Sequence, residues 1–193
     1  MSLNVKRDIV RLPGDMIDLC VMRTDDEAIT KYLCWMNDPE INHWLGRCAK
    51  VLGIAEESKW VEKERNGMLF NIVTKDNREL VGNCDIELHE GTRNACLGIC
   101  IGEKKARDRG YGSEAMVMLV KFGFENLNCH RLYLNAKASN ARAIRCYEKA
   151  GFKQCATFHE TDFWEGKYWD SIQMEILEQD YYALKKRLKE GGC

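Results

Sequence analysis

The chain lacks an apolar run long enough to span a membrane, so an integral membrane protein is not expected. It also lacks an excess of charge of either sign. Its 29 basic and 30 acidic side chains leave a net charge of −1, and no general field draws nucleic acid. The opening Met1-Ser2-Leu3-Asn4 lacks the apolar core of a secretory signal, and a cytoplasmic location is expected. Ten cysteines are many, yet none forms a Cys-x-x-Cys pair, and His43, His89, His130 and His159 stand apart. That spacing suits neither a zinc site nor a small disulfide scaffold, so no metal is expected. Most of the cysteines are expected to be small buried hydrophobes in a reducing compartment, with Cys193 on its Gly-Gly tail as an exposed thiol. No repeat, low-complexity tract or linker interrupts the chain. Residues 1–193, at 45% hydrophobic, therefore read as a single domain with one core.

The stretch that stands out is Arg107-Asp108-Arg109-Gly110-Tyr111-Gly112, followed by Ser113-Glu114-Ala115. Two glycines one residue apart permit positive φ angles and close approach of backbone to a ligand. Helical spacing of Ala115, Met116, Leu119, Val120 and Phe124 follows at once, and Leu97–Ile101 upstream reads as a strand. Strand, glycine turn and helix in that order aim backbone N–H groups and a helix dipole at one spot, a site for phosphate or pyrophosphate. The loop does not end in Gly-Lys-Ser/Thr, which argues against a kinase or GTPase.

Along the rest of the chain, residues 1–15 read as a lead-in broken at Pro13-Gly14, and Leu19–Met22 as a first strand. Thr24 with Glu27 resembles a capping box for a helix that stops before Pro39. Glu40–Leu52 reads as loop or short helix, and 55–66 as a charged helix ended by Gly67. Strands at 69–74, 80–88 and 95–101 are joined by short turns, as in an antiparallel meander. A helix over 112–125, a strand over 131–136 and a helix over 140–150 come next. Strands near 153–160 and 170–177 flank a turn at 164–167, and a last helix covers 178–190. The fold class expected is α/β (α+β), a mixed, mostly antiparallel sheet of about seven strands with helices on both faces.

Arg107-x-x-Gly110-x-Gly112 resembles the acyl-CoA motif of the GNAT superfamily of N-acetyltransferases. Asn140-x-x-Ala143-x-x-x-Tyr147-Glu148-Lys149-Ala150-Gly151-Phe152 is similar to the family's next helix and the turn after it. Trp35–Glu40 and Gly166–Met174 resemble the branch that holds ribosomal-protein N-terminal acetyltransferases and spermidine N-acetyltransferases. The likeness runs over roughly residues 16 to 182. Many members of that branch carry Glu where this chain has Cys96, and a thiol is a poor substitute for a carboxylate base.

The resemblance implies acetyl transfer from acetyl-CoA to an amine, a protein N-terminus, a polyamine or another small amine. It places the cofactor along Ile99, Cys100 and Ile101, where the sheet splays, and at Arg107, Asp108, Arg109, Gly110, Tyr111, Gly112 and Ser113. Arg107 or Arg109 would add a charge-assisted bond to phosphate. Asn140 and Ala143 join the cofactor set, with a plain helix N-cap as the other reading of Asn140. Tyr147 is the general acid implied, against a buried core aromatic. Asp85, Glu87 and His89 share one face of their strand, and Glu87 is the candidate base, against a solvated face or a water chain. Trp44 and Trp164 are candidates for the acceptor side, against ordinary packing. Relatives that pair make a homodimer the expected assembly. The alternative function is a GNAT-like module that binds or senses CoA without turnover.

Overall fold

The computed structural model describes residues 8–45, 51–64 and 68–190. Its strands hydrogen-bond in the order β1-β2-β3-β4-β5-β6-β8-β7, a mostly antiparallel sheet of eight in which β5 and β6 run parallel. Two compact units share this chain: residues up to Asp85 with Ile99–Ala115, and Ile86–Gly98 with Met116 onward.

In the first unit, β1 (Val10–Pro13), β2 (Ile17–Val21), β3 (Leu69–Thr74) and the start of β4 (Leu80–Leu88) form an antiparallel ladder. β1 is the strand beyond the seven or so expected. Its four residues precede a Pro-Gly break, and Pro13 is tolerated because the strand lies at the sheet's edge. β3 is buried along its whole length, so its apolar run does not alternate. Ile17, Leu19, Ile72 and Val73 are wholly buried, each stabilising the fold by about 1.5–3 kcal/mol of transfer free energy.

Helix α1 (Asp26–Met36) buries Ala28, Ile29, Tyr32, Trp35 and Met36. Its cap is Asp25, not Thr24: the Asp25 carboxylate accepts the Ala28 N–H at 3.2 Å. The same carboxylate takes two hydrogen bonds from the Arg23 guanidinium, at 2.7 Å each, a fork that a threonine hydroxyl cannot match. The Tyr32 hydroxyl reaches the core and donates to Asn71 Oδ1 at 2.7 Å. Burial pushes that phenol up to about 12. Helix α2 (Pro39–Leu45) and helix α3 (Ile54–Glu64) follow. The expected stop at Gly67 and the thiols of Cys48 and Cys193 lie outside the described residues.

The second unit holds the end of β4, most of β5 (Asn94–Ile101), the body of helix α4 (Tyr111–Glu125), β6 (Arg131–Lys137), helix α5 (Ala141–Lys149), β7 (Lys153–Trp164), β8 (Lys167–Leu177) and helix α6 (Glu178–Glu190). β6 pairs with β8 from Arg131↔Leu177 to Lys137↔Ser171. Leu132, Leu134, Met174 and Ile176 are buried, while Arg131, Tyr133, Gln173 and Glu175 alternate with them on the more exposed face. β7 and β8 run up to a two-residue turn in which Glu165 (φ 50°) and Gly166 (φ 75°) are both left-handed. That hairpin geometry keeps the ladder going, so both strands are longer than expected.

The cysteines depart from expectation. Of the eight described, Cys20, Cys84 and Cys129 are buried, Cys96, Cys100 and Cys146 are half-buried, and Cys34 and Cys155 are exposed. Cys34 falls on the outer face of α1 and Cys155 on the edge strand β7.

Candidate active site

The glycine turn belongs to the first unit and is braced from below. After β5 the chain passes Gly102 and a short 3-10 turn (Lys104–Ala106). Gly102 lies against the Trp35 indole: a Cβ there would come within 2.0 Å of the ring. Arg107 Nε then donates to the Ile101 carbonyl at 3.3 Å, and its Nη1 is bonded to the Glu40 carboxylate of α2. Lys104 Nζ adds ion pairs to Glu40 at 3.0 Å and Asp38 at 3.2 Å. The hydrogen bonds from Lys104 and then Arg107 hold the Glu40 carboxyl below its ordinary range. Of the two arginines named for phosphate, Arg107 is thus engaged in the scaffold and Arg109 is exposed.

Positive φ falls at Asp108 (61°) and Gly110 (88°). Of the two glycines that permit it, Gly110 takes it and Gly112 is already in the first turn of α4. Aspartate tolerates the left-handed region better than most residues, which is how Asp108 serves here. The first bond closing α4 runs from Glu114 N–H to Gly110 C=O at 3.0 Å. The amides of Tyr111 and Gly112 precede that bond, at the very start of the helix.

Glu114 in that first turn would compete with an anion for the same helix end. It is turned away instead. Its Oε1 accepts N–H bonds from Asp15 and Met16, the latter at 3.0 Å. Neither Glu114 nor Glu40 was visible as a site residue in the sequence, because their partners lie 98 and 67 residues away. Trp44, also in the first unit, is half-buried on α2 with its ring 4.4 Å from that of His43.

The remaining predicted residues fall in the second unit. Asn140 caps α5, its side chain accepting the Ala143 N–H at 3.1 Å. Tyr147 is 9% exposed, with its ring 6.4 Å from Phe152 at a steep angle. The turn that follows α5 is closed by Gly151 at φ 98° and by Phe152 N–H on the Tyr147 carbonyl at 3.1 Å. Trp164 ends β7, and its carbonyl accepts from Trp169 Nε1 at 3.3 Å. Glu87 is exposed on β4.

One cluster in this unit went unread in the sequence. The β5–β6 register covers Asn94↔Arg131, Ala95↔Leu132 and Cys96↔Tyr133. The Tyr133 hydroxyl lies 2.8 Å from His89 Nε2. Only the pairing of strands could reveal this, since His89 and Tyr133 are 44 residues apart. Among the described residues no group of His, Cys, Asp or Glu side chains is arranged to hold a metal ion. No helix among them is long and apolar enough to cross a membrane.

Residues 12–153 match the model of a family described as the acetyltransferase (GNAT) domain. The chain is 28% identical over 125 residues to the spermidine N(1)-acetyltransferase of Escherichia coli (strain K12), spanning 60% of this chain and 67% of that one. A GNAT-family acetyltransferase from Bacillus anthracis superposes with a TM-score of 0.76 at 19% identity, covering 87% of this chain and 98% of the other. The spermidine N-acetyltransferase of Vibrio cholerae, solved in complex with CoA and spermine, gives a TM-score of 0.74 at 21% identity, covering 86% and 98%. At those identities the two structures show a shared fold.

Proposed function

Because the chain belongs to the GNAT acetyltransferase family, we propose that it carries the acetyl group of acetyl-CoA to a primary amine by direct attack on the thioester. The observation that carries this reading is the turn at Asp108–Gly110. It opens α4 directly after two residues of left-handed backbone, and the acid at the helix start, Glu114, is tied back to Asp15 and Met16. Such a helix start suits a pyrophosphate, which accepts N–H bonds and is favoured by the dipole. In this reading Tyr111, Gly112 and Ser113 supply the amides, Arg109 adds charge, and Arg107 with Glu40 holds the turn in shape.

The pantetheine arm is peptide-like, and an exposed strand edge can take it up by backbone pairing. Ile99–Ile101 is assigned that duty, and the end of the β5–β6 register at Cys96↔Tyr133 supports it. The amine attacks the thioester carbonyl, the oxyanion is met by a backbone N–H of β5, and the C–S bond breaks. Tyr147 gives the departing thiolate its proton. Asn140 and Ala143 are assigned to the cofactor, and Trp44 and Trp164 are candidates for the acceptor.

The acceptor classes are polyamines, protein N-termini and other small amines. Likeness to spermidine acetyltransferases makes spermidine and spermine the first to test. Cys96, in place of the family's frequent carboxylate, favours a second reading, a module that binds CoA without turnover. Release of CoA thiol over a panel of amines separates the two. Turnover with one or more amines supports the enzyme. Thermal stabilisation by acetyl-CoA with no thiol release from any amine supports the binding module.

A further inference from the structure

The exposed face of the second unit's sheet carries a chain of groups that can move a proton. His89 stands just past the end of β4, and its backbone is pinned. Its N–H donates to the Asn94 carbonyl at 3.0 Å, and its own carbonyl accepts from Thr92 Oγ1 at 3.0 Å. The imidazole stands at the hydroxyl end of the Tyr133 ring, nearly parallel to it at 15°, with Nε2 2.8 Å from the phenol oxygen. Arg131 covers the same ring, its guanidinium carbon 4.5 Å from the centroid. Glu175 at 2.5 Å and Gln173 at 2.9 Å hold that guanidinium in turn. Cys96 is the cross-strand partner of Tyr133 and interacts with its hydroxyl.

The place matters as much as the groups. Cys96↔Tyr133 is the last pair of the β5–β6 register. The phenol therefore stands where the two strands part and a ligand's backbone can enter. Burial first, and Cys96 next, push the phenol above its ordinary range, so it stays protonated and can pass a proton without keeping one. Histidine is the side chain suited to accept it near neutrality. Glu87 is exposed, and its charge is the last of the causes that raise Tyr133.

We propose that Tyr133 and His89 form the proton exit for the acceptor amine, in the place where a carboxylate at position 96 would otherwise act. This rests on the acetyl-transfer reading above. The ammonium gives a proton to the Tyr133 oxygen while the Tyr133 hydroxyl gives its own to His89 Nε2. His89 must then carry its resting proton on Nδ1. The amine is left neutral, Tyr133 is again a phenol, and His89 is an imidazolium that returns its proton to water at the half-exposed ring. The free amine forms the new N–C bond, and the C–S bond breaks. His89 faces Tyr133, and the charged and titratable groups around that phenol are Cys96 on β5, Arg131 on β6 and Glu87 on β4, with Glu175 on β8 neutralising Arg131.

The test is the pH profile of kcat/KM for wild type, His89→Gln and Tyr133→Phe, with whichever amine wild type turns over. His130→Gln on α6's flank serves as a control, and equal acetyl-CoA thermal shifts establish that all variants are folded. Wild type should lose activity on the acid side as a single group takes up a proton. Both variants should fall about a hundredfold at pH 7, the scale of general base catalysis, and climb with unit slope toward the amine's own titration. His130→Gln should match wild type. If His89→Gln and Tyr133→Phe keep the wild-type profile, the relay is wrong and acetyl transfer stands. If wild type releases CoA with no amine, the acetyl-transfer reading fails and the relay with it.

Discussion

The Arg107 guanidinium is bonded to the Glu40 carboxylate and to the Ile101 carbonyl at once, so one side chain ties α2 to both ends of the segment joining β5 and the glycine turn. A surface ion pair alone contributes little to stability. Here the carboxylate is 48% exposed, but the guanidinium is only 10% exposed. Glu40→Gln is therefore expected to change the melting temperature by no more than a few degrees while raising KM for acetyl-CoA about tenfold, since only the shape of the turn is lost. Calorimetry and initial rates measure both. A large loss of stability with an unchanged KM would contradict the bracing role.

Gly102 and Gly110 test the turn by different means. A methyl group at 102 would overlap the Trp35 indole at 2.0 Å, and Trp35 is buried and cannot yield. Gly102→Ala should destabilise the protein by about 1–3 kcal/mol, the usual cost of overpacking. At Gly110 a Cβ would lie 3.2 Å from Met16 Cε, a tight contact that the flexible methionine end can relieve by a small shift, and the φ of 88° disfavours any L-residue. Gly110→Ala should cost about 1–2 kcal/mol and weaken acetyl-CoA binding. Urea titrations with and without acetyl-CoA separate the two effects.

Asn140 caps α5 whatever else it does. Asn140→Ala should lose about 1 kcal/mol, and Asn140→Ser, which retains a capping oxygen, should lose little. If Asn140→Ser keeps its stability yet binds acetyl-CoA more weakly, the amide also serves the cofactor. Thermal melts and cofactor titrations on the two variants decide this.

Asp25 makes stability pH-dependent. The hydrogen bond from Arg23 comes first among the causes that hold its carboxyl at about 2, against an ordinary 3.8. A depressed carboxyl stabilises the fold above its unfolded value, and that contribution is lost as pH falls through the folded one. The loss should therefore run from about pH 4 to about pH 2, and solvent screening of the 49%-exposed side chain should keep it under about 1 kcal/mol. Asp25→Asn should flatten this acid limb and retain the cap. Urea melts at pH 7 and pH 3 supply the check.

How far the chain could be read depends on whether the information is local. β4 at 80–88 and α6 at 178–190 were legible to the residue, because turn residues bracket a continuous pattern. The acyl-CoA turn was legible as a motif, but its φ pattern was not, since Asp108 rather than Gly112 takes the left-handed position. β1 was missed because a four-residue edge strand carries too few residues to show a period. The spacing of Thr24 to Glu27 fits a capping box, whereas the Arg23 fork that holds the Asp25 cap is a three-dimensional fact. Glu40, Glu114 and Tyr133 could not be found at all. Each acquires its meaning from a partner 44 or more residues away, joined by strand register or helix placement.

The most direct measurement is CoA thiol release by wild type and Tyr147→Phe, with acetyl-CoA and a panel that begins with spermidine and spermine. Wild type is expected to turn over at least one amine. Tyr147→Phe should lower kcat about a hundredfold with little change in KM for acetyl-CoA, as removal of a proton donor to the leaving thiolate requires. Equal kcat for the two proteins would contradict the role given to Tyr147, and no thiol release by wild type with any amine would contradict acetyl transfer itself.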